Sequence, residues 1–171
     1  ERWIHAFYLT LFSTGMRLGE VLALEWHKIY FDRNAILISD SWCSKEHKLI
    51  GTTKGKKDRL IPLPSKLKVE LAALKNSARS SFIFSNVTGR PIDANNFRNR
   101  TWPMSLEACE LRHIRIHDAR HTYASLFVMS GNSIHDLKAV LGHADIKTTE
   151  RYAHLSPTHL QGVRDAIQIN I

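Results

Sequence analysis

The sequence contains few cysteines: only Cys43 and Cys109 occur in 171 residues. Two thiols in a domain of this length are interpreted as reduced, which favours an intracellular protein over a secreted disulfide framework. Long hydrophobic runs are also lacking, because stretches such as residues 6–12 are far shorter than the roughly 20 apolar residues of a membrane span. We therefore predict neither a disulfide scaffold nor insertion into a membrane.

Internal repeats and low-complexity linkers are absent from the sequence, so we place no domain boundary and treat residues 1–171 as one domain. The chain begins Glu1-Arg2-Trp3, without Met and without a basic and then apolar leader. This start predicts an excised fragment of a longer protein rather than a secretory precursor.

Motifs for common cofactors are incomplete. Residues 51–56 come closest to a phosphate-cradling ATP motif, but their two glycines are one residue too close and Lys57 stands where Ser or Thr is needed. His117 and His121 have the spacing of a zinc-binding helix, yet Asp118 replaces the expected Glu and no Cys pair accompanies them. We predict no metal site and no cofactor.

The sequence is strongly basic, because 24 Lys and Arg residues against 16 Asp and Glu residues give a formal net charge of +8. A cationic surface attracts polyanions, so nucleic acid or an acidic membrane surface is the expected partner. With 43% hydrophobic residues, a chain of this size can bury a core without disulfides or a structural metal. The composition thus predicts a basic globular domain.

Apolar residues recur at helical spacing along most of the chain, which predicts an α+β fold that is predominantly α-helical. Helices are expected over residues 4–13, 17–26, 65–78, 94–102, 118–129, 133–141, 146–153 and 157–167. Ser133 with Asp136 forms a capping box, and Gly142 marks a helix end. One small antiparallel sheet is expected from strand-like runs over residues 35–39, 49–53 and 59–63. Residues 54–58 form the basic hairpin tip between the last two runs.

Four short motifs follow one another in the sequence. They are TGMRLGE at 14–20, TKGKKDRLIPL at 53–63, HDARHT at 117–122, and LGH at 141–143 followed by RYAH at 151–154. Each motif alone is weak evidence, but together, in this order, they resemble the catalytic domain of the tyrosine recombinases, the phage integrase family. The resemblance covers nearly all of the chain and implies the fold of that domain, with its small antiparallel sheet.

The resemblance also implies a reaction and its residues. In that family a tyrosine hydroxyl attacks a DNA phosphodiester, forms a 3′-phosphotyrosine and releases a 5′-hydroxyl, without a metal or a nucleotide cofactor. The catalytic positions of the family fall on Arg17, Lys54, His117, Arg120, His143 and Tyr152. Glu20 is given a supporting role in orienting an active-site group, although Arg17 with Glu20 alone is also typical of a surface ion pair.

The two arginines suit this chemistry. A metal-free site must neutralise charge on the phosphate oxygens with fixed donors, and a guanidinium offers a planar fork that stays charged at any working pH. We therefore expect Arg17 and Arg120 to clamp the scissile phosphate. His143 is expected to donate a further hydrogen bond.

The nucleophile and the leaving group both need a proton-transfer partner. A phenol with a pKa of about 10 is ionised in about one molecule per thousand at pH 7, so Tyr152 needs an acceptor, for which His117 is the hypothesis. Tyr152 stands in a polar stretch, where a hydroxyl can reach a ligand. The departing sugar oxygen needs a proton, and Lys54 on the hairpin tip is expected to deliver it.

Further polar residues are predicted to contact the DNA backbone: Lys56, Lys57, Arg98, Arg100, Thr148 and Thr149. A solvated basic turn explains the two lysines equally well, and a solvated helix face explains the two arginines. His113, His121 and His154 are interpreted as solvated or structural histidines, and His154 is also placed near DNA.

The expected partners are double-stranded DNA and other recombinase protomers in a tetrameric synapse, in a bacterial cytoplasm or nucleoid. Residues 157–167 are the candidate contact with a neighbouring protomer, and the N-terminal DNA-binding domain usual in the family is expected outside residues 1–171. Three alternatives stay open: relaxation of DNA as in type IB topoisomerases, a non-catalytic DNA-binding module, and a zinc hydrolase built on His117 and His121.

Overall fold

The computed structural model describes residues 2–51 and 58–157. Its α-helices are α1 (Arg2–Thr14), α2 (Leu18–Leu22), α3 (Ser65–Lys75), α4 (Ala94–Asn96), α5 (Trp102–Ala108), α6 (Asp118–Met129), α7 (Ile134–Leu141) and α8 (Lys147–Glu150). Its strands are β1 (Ile29–Tyr30), β2 (Ala35–Ile38), β3 (Asp40–Cys43), β4 (Lys48–Gly51) and β5 (Arg59–Pro62). Short 3-10 turns cover Trp26–Lys28 and Ala153–Leu155. No helix in the described ranges is long and apolar enough to cross a bilayer.

Helix α1 forms the centre of the main hydrophobic core. It packs against α3 and α6, and its Phe7 and Leu11 are buried, as the helical spacing of apolar residues predicts. The Phe7 ring lies 4.9 Å from that of Phe84 and 4.5 Å from that of Phe97, measured between ring centroids. The helix is therefore fixed in place by aromatic packing, and its C-terminal end leads into the TGMRLGE motif.

The strands form two small sheets rather than the single predicted one. The first has the order β1-β2-β5, all antiparallel, and the second is the antiparallel pair β3-β4. The prediction that the runs at 49–53 and 59–63 pair as a hairpin is wrong. The β4 strand pairs instead with β3, which the sequence analysis missed because its residues, Asp-Ser-Trp-Cys, lack an alternating apolar pattern.

Four helices end at places different from those predicted, and two of them, α3 and α8, each stop three residues early, at Lys75 and Glu150. Helix α2 stops at Leu22 because the chain then turns to pair with residues 81–83, where Trp26 N donates to the Ser81 carbonyl at 3.0 Å. The helix predicted over 94–102 continues through a π turn at Phe97–Thr101 into α5. Pro103 does not end it, because proline is tolerated in the first turn of a helix.

Helices α6 and α7 follow the prediction closely. Helix α6 has the predicted bounds, Ser133 Oγ accepts from Asp136 N at 3.1 Å at the start of α7, and Gly142 ends α7 in the left-handed conformation at φ 65°. A second core cluster joins α6 and α7 to the turn after α8, with Ala124, Val128, Leu137, Leu141 and Tyr152 as its buried members. The predicted helix at 157–167 lies outside the described residues, apart from Pro157.

Candidate active site

Glu20 holds two arginines at the start of α2. Its carboxylate accepts from Arg17 Nη1 at 3.1 Å, from Arg59 Nη1 at 3.1 Å and from Arg59 Nη2 at 2.8 Å. Burial raises the pKa of Glu20, but the hydrogen bonds and charges of Arg59 and Arg17 outweigh it, so the net pKa lies below its usual value. Glu20 is buried and ionised, so the alternative of a surface ion pair with Arg17 is wrong.

Arg17 and Arg120 converge on one backbone carbonyl at the end of α7. The Arg120 guanidinium is buried and donates from Nη1 to the Gly15 carbonyl and from Nη2 to the Leu141 carbonyl, both at 2.7 Å. Arg17 Nη1 lies 3.5 Å from the same Leu141 oxygen. Burial, with the nearby charge of Arg17, lowers the pKa of Arg120 to about 10, so this side chain stays cationic at neutral pH.

His143 follows the glycine cap of α7 and faces the same cations. Burial and the charges of Arg120 and Arg17 lower its pKa to about 4, so the imidazole is neutral at pH 7. Its Nδ1 lies 2.9 Å from Thr149 Oγ1. With that hydroxyl donating to Nδ1, Nε2 carries the proton and is free to donate to a phosphate. Thr149 is fully buried and contacts His143, so its predicted contact with DNA stays a prediction that this structure does not support.

Tyr152 is buried in the second core cluster, and its hydroxyl is hydrogen-bonded to His121 Nδ1. Burial raises the pKa of Tyr152, and the charges of Arg151 and Arg120 offset this rise in part. The phenol is therefore protonated at neutral pH. Tyr152 is therefore buried although its neighbours in the sequence are polar, and His121, interpreted from sequence as solvated or structural, contacts its hydroxyl.

His117 lies at the N-terminal end of α6, one helical turn before His121. The two rings meet edge to face, with centroids 5.1 Å apart. Burial, and then the neighbouring charges of His121, Arg120 and Arg17, lower the pKa of His117, so it is neutral at pH 7. A neutral imidazole at this place can exchange a proton with a ligand that binds beside Arg120.

A cavity of about 560 Å³ opens beside these residues. It is lined by apolar residues and by the polar residues Arg98, Asn99, His113, Arg115, His117 and Arg120. Arg98, predicted to contact DNA, thus shares a cavity with two of the predicted catalytic residues. Arg100 and Thr148 are exposed, but neither belongs to the lining of this cavity in the described part of the chain.

Three predicted site residues, Lys54, Lys56 and Lys57, lie outside the described residues. Arg59 was missed as a site residue. A signal for it exists, since Arg59 precedes the buried Ile61 by two positions in β5 and therefore shares its inward face. Within residues 2–51 and 58–157, no group of three His, Cys, Asp or Glu side chains could hold a metal ion.

Comparisons with known proteins identify the family that this chain resembles. The model of the phage integrase family matches residues 1–159. Tyrosine recombinase XerC of Xanthomonas campestris pv. campestris strain B100 is 29% identical over 158 residues, which is 91% of this chain and 45% of that protein. The chain spans about half the length of the curated XerC relatives that it matches.

Solved structures agree on the fold. The catalytic domain of bacteriophage HP1 integrase is 25% identical, has a TM-score of 0.63 and is matched over 94% of this chain and 79% of that one. The Tn1549 transposon integrase in complex with a circular intermediate DNA reaches a TM-score of 0.81 at 16% identity, over 96% of this chain and 58% of that one. The predicted fold class, predominantly α-helical with a small antiparallel sheet, is confirmed.

Proposed function

Because this chain belongs to the phage integrase family, we propose that it is the catalytic domain of a site-specific DNA recombinase, which breaks and rejoins DNA through a 3′-phosphotyrosine. The observation that carries the proposal is the convergence of Arg17 and Arg120 on the Leu141 carbonyl. The charges of both arginines also act on His143, and that of Arg120 acts on Tyr152. Two fixed guanidinium forks at one point match the charge of a phosphodiester.

Each residue then has a role in the reaction. Arg17 and Arg120 stabilise the charge on the non-bridging oxygens of the scissile phosphate, and His143 donates to the same group through Nε2. Tyr152 attacks the phosphorus, and His117, at the N-terminal end of α6, is the predicted acceptor of its proton. Lys54 protonates the departing 5′ oxygen. The phosphotyrosine conserves the energy of the diester bond, so rejoining needs no nucleotide.

Glu20 and Arg59 support this site without contacting substrate. Arg59 Nε also donates to the Val140 carbonyl at 2.8 Å, so the pair ties the start of α2 and strand β5 to the end of α7. This link sets the distance between Arg17 and the turn that carries His143. We assign both residues a positioning role.

The partners in this proposal are double-stranded DNA and further protomers that assemble on it, in a bacterial cytoplasm. An N-terminal DNA-binding domain completes the protein, and residues 157–167 contact a neighbouring protomer. Lys56, Lys57, Arg98, Arg100 and Thr148 follow the DNA backbone around the site. The relatives that the chain matches are recombinases and integrases, which does not favour the topoisomerase alternative.

The proposal is tested by trapping the covalent intermediate. The chain is incubated in EDTA with duplexes of randomised sequence that carry a nick beside each candidate cleavage position, so that the 5′-hydroxyl fragment diffuses away. We expect a protein–DNA adduct that survives denaturation, and peptide mass spectrometry that locates the DNA on Tyr152.

The matched control is Tyr152→Phe, which removes only the hydroxyl and is expected to form no adduct. An adduct on another residue, or one that persists in Tyr152→Phe, would contradict the assignment of the nucleophile. Adduct formation that requires a divalent cation would contradict the metal-free mechanism.

A further inference from the structure

His121 lies on α6 one turn after His117, and Tyr152 contacts it from the turn that follows α8. Residues four apart on a helix share a face, so the two histidines stand one above the other, with ring centroids 5.1 Å apart. On its other side, the His121 ring centroid lies 6.1 Å from that of Tyr152, and Nδ1 is hydrogen-bonded to the Tyr152 hydroxyl. The site therefore holds a second histidine in contact with the atom proposed to attack DNA.

We propose that His121 is a catalytic residue: its Nδ1 accepts the proton of the Tyr152 hydroxyl when that oxygen attacks the DNA phosphodiester. This role deepens the proposed function and rests on it. His117, which lines the cavity beside Arg120, is then left to interact with the bound phosphate.

The proton has to leave during the attack, because the phenol is protonated beforehand. Burial of Tyr152 disfavours the phenolate, and the two nearby arginines compensate only in part. Among the residues that the structure describes, the hydrogen bond recorded for this hydroxyl is the one to His121. A neutral imidazole with Nε2 protonated presents Nδ1 as an acceptor, so the path for the proton already exists.

A carboxylate lies near the charge that His121 gains. Asp118 stands three residues before His121 on α6 and accepts hydrogen bonds from the Arg115 backbone and side chain. Arg120 opposes this charge, whereas His117 is neutral at pH 7 and does not.

The step balances in atoms and charge. The Tyr152 oxygen forms a bond to phosphorus, its proton moves to His121 Nδ1, and the bond from phosphorus to the 5′ oxygen breaks. The departing oxygen takes a proton from the acid that we assign to Lys54. Rejoining reverses each transfer, so that His121 returns the proton to the tyrosine.

The first test needs no catalysis. Difluorotyrosine is placed at position 152 of the DNA-free chain, and its ionisation is followed by fluorine NMR. A hydrogen bond from the neutral phenol to an imidazole favours the protonated form, so His121→Ala should shift the titration to lower pH. Arg120 and Arg151, the charged groups that also act on this phenol, are unchanged in the variant.

The control for this titration is His135→Ala, which removes an exposed histidine on α7 and should leave the titration in place. A titration that is unchanged in His121→Ala overturns the proposal, whether or not the chain cleaves DNA.

The second test measures adduct formation in a single turnover on a duplex recovered from the randomised pool. His121→Ala should lower the rate by on the order of 10²–10⁴-fold. Difluorotyrosine at position 152 should recover most of that loss, because its more acidic phenol ionises without an acceptor. In His117→Ala the same replacement should recover nothing.

The outcomes separate the two proposals. Absence of adduct in the unsubstituted chain overturns the proposed function itself. If adduct forms but difluorotyrosine rescues His117→Ala instead of His121→Ala, the proton goes to His117 and the inference is wrong. The amide oxygen of His121→Gln can accept the hydrogen bond of the hydroxyl but cannot take its proton. If this variant forms adduct at the full rate, the contact of His121 with Tyr152 is only structural and the inference is wrong.

Discussion

At the scale of single residues, the two arginines of the candidate site are held very differently. Arg120 is 4% exposed, and both of its terminal nitrogens already donate to backbone carbonyls on two different turns. The Arg17 side chain is 31% exposed and is held mainly by Glu20. Arg120 therefore joins parts of the fold as well as facing the site, whereas Arg17 is more available to a ligand.

Because the two arginines are held differently, we expect the same change, Arg to Lys, to affect protein stability differently at the two positions. Arg120→Lys should lower the free energy of unfolding by about 1–3 kcal/mol, because one ammonium cannot replace two divergent donors to buried carbonyls. Arg17→Lys should change it by less than about 1 kcal/mol. Both variants should lose DNA cleavage and keep most of their DNA affinity, because the charge survives and the planar fork does not.

The measurements are urea unfolding, the rate of adduct formation, and the Kd for duplex DNA. Equal losses of stability in the two variants would contradict the structural role of Arg120. If the Kd for DNA rises sharply when cleavage is lost, the two arginines contribute to DNA binding and not specifically to cleavage.

Residue identity explains which parts of the site could be predicted. Arg17, Arg120, His143 and Tyr152 stand in short motifs, and the structure gathers them around the end of α7; their catalytic roles stay predictions. The contact of His121 with Tyr152 could not be predicted, because it depends on how the turn after α8 packs against α6. The sequence pattern of α6 alone does not show which residue of another element packs against it.

At the scale of elements, the end of α7 organises the site. The left-handed conformation of Gly142 releases the Leu141 carbonyl toward Arg17 and Arg120 and turns the chain so that His143 follows at once. A side chain at this glycine would place its Cβ 2.9 Å from Arg59 Nη1 and 3.0 Å from Arg59 Cζ. The turn is therefore constrained both by its backbone conformation and by its neighbour.

Gly142→Ala should lower both stability and cleavage. Gly131→Ala is the matched control, because Gly131 also has a positive φ, 86°, but has no heavy atom within 4 Å of an added Cβ. Each variant should lose about 1–2 kcal/mol from the left-handed backbone alone. Only Gly142→Ala should lose more and also slow adduct formation, because Arg59 must move away from Glu20. Equal unfolding free energies and equal rates in the two variants would contradict this account.

The elements themselves were predictable to different degrees. Helices α1 and α7 carry strong apolar spacing or an explicit cap, so their positions follow from local sequence. Strand pairing does not, since the polar strand β3 takes β4 as its partner and leaves β5 to β2. The pairing is decided by which residues reach the core, such as Ile36 opposite Ile61, and not by proximity in sequence.

At the scale of the whole molecule, the net charge of +8 matters through its distribution. Two exposed arginines, Arg98 and Arg115, line the cavity that also holds His117 and Arg120, so part of the positive charge surrounds the candidate site. Arg115 is already paired with Asp118 at 3.1 Å. Arg98 is 3.5 Å from the neutral Asn95 amide oxygen, which leaves its charge available to a phosphate.

If DNA enters this cavity, Arg98 neutralises a phosphate, and each phosphate contact contributes about one unit to the slope of log Kd against log salt. Arg98→Gln should therefore reduce that slope by about one between 50 and 200 mM salt. Arg33→Gln removes the same charge from an exposed arginine that pairs with Asp32, outside the cavity lining, and should leave the slope unchanged. Fluorescence anisotropy with a duplex measures both. An equal change in the two variants would mean that DNA responds to the total charge of the molecule, and that the cavity does not direct where it binds.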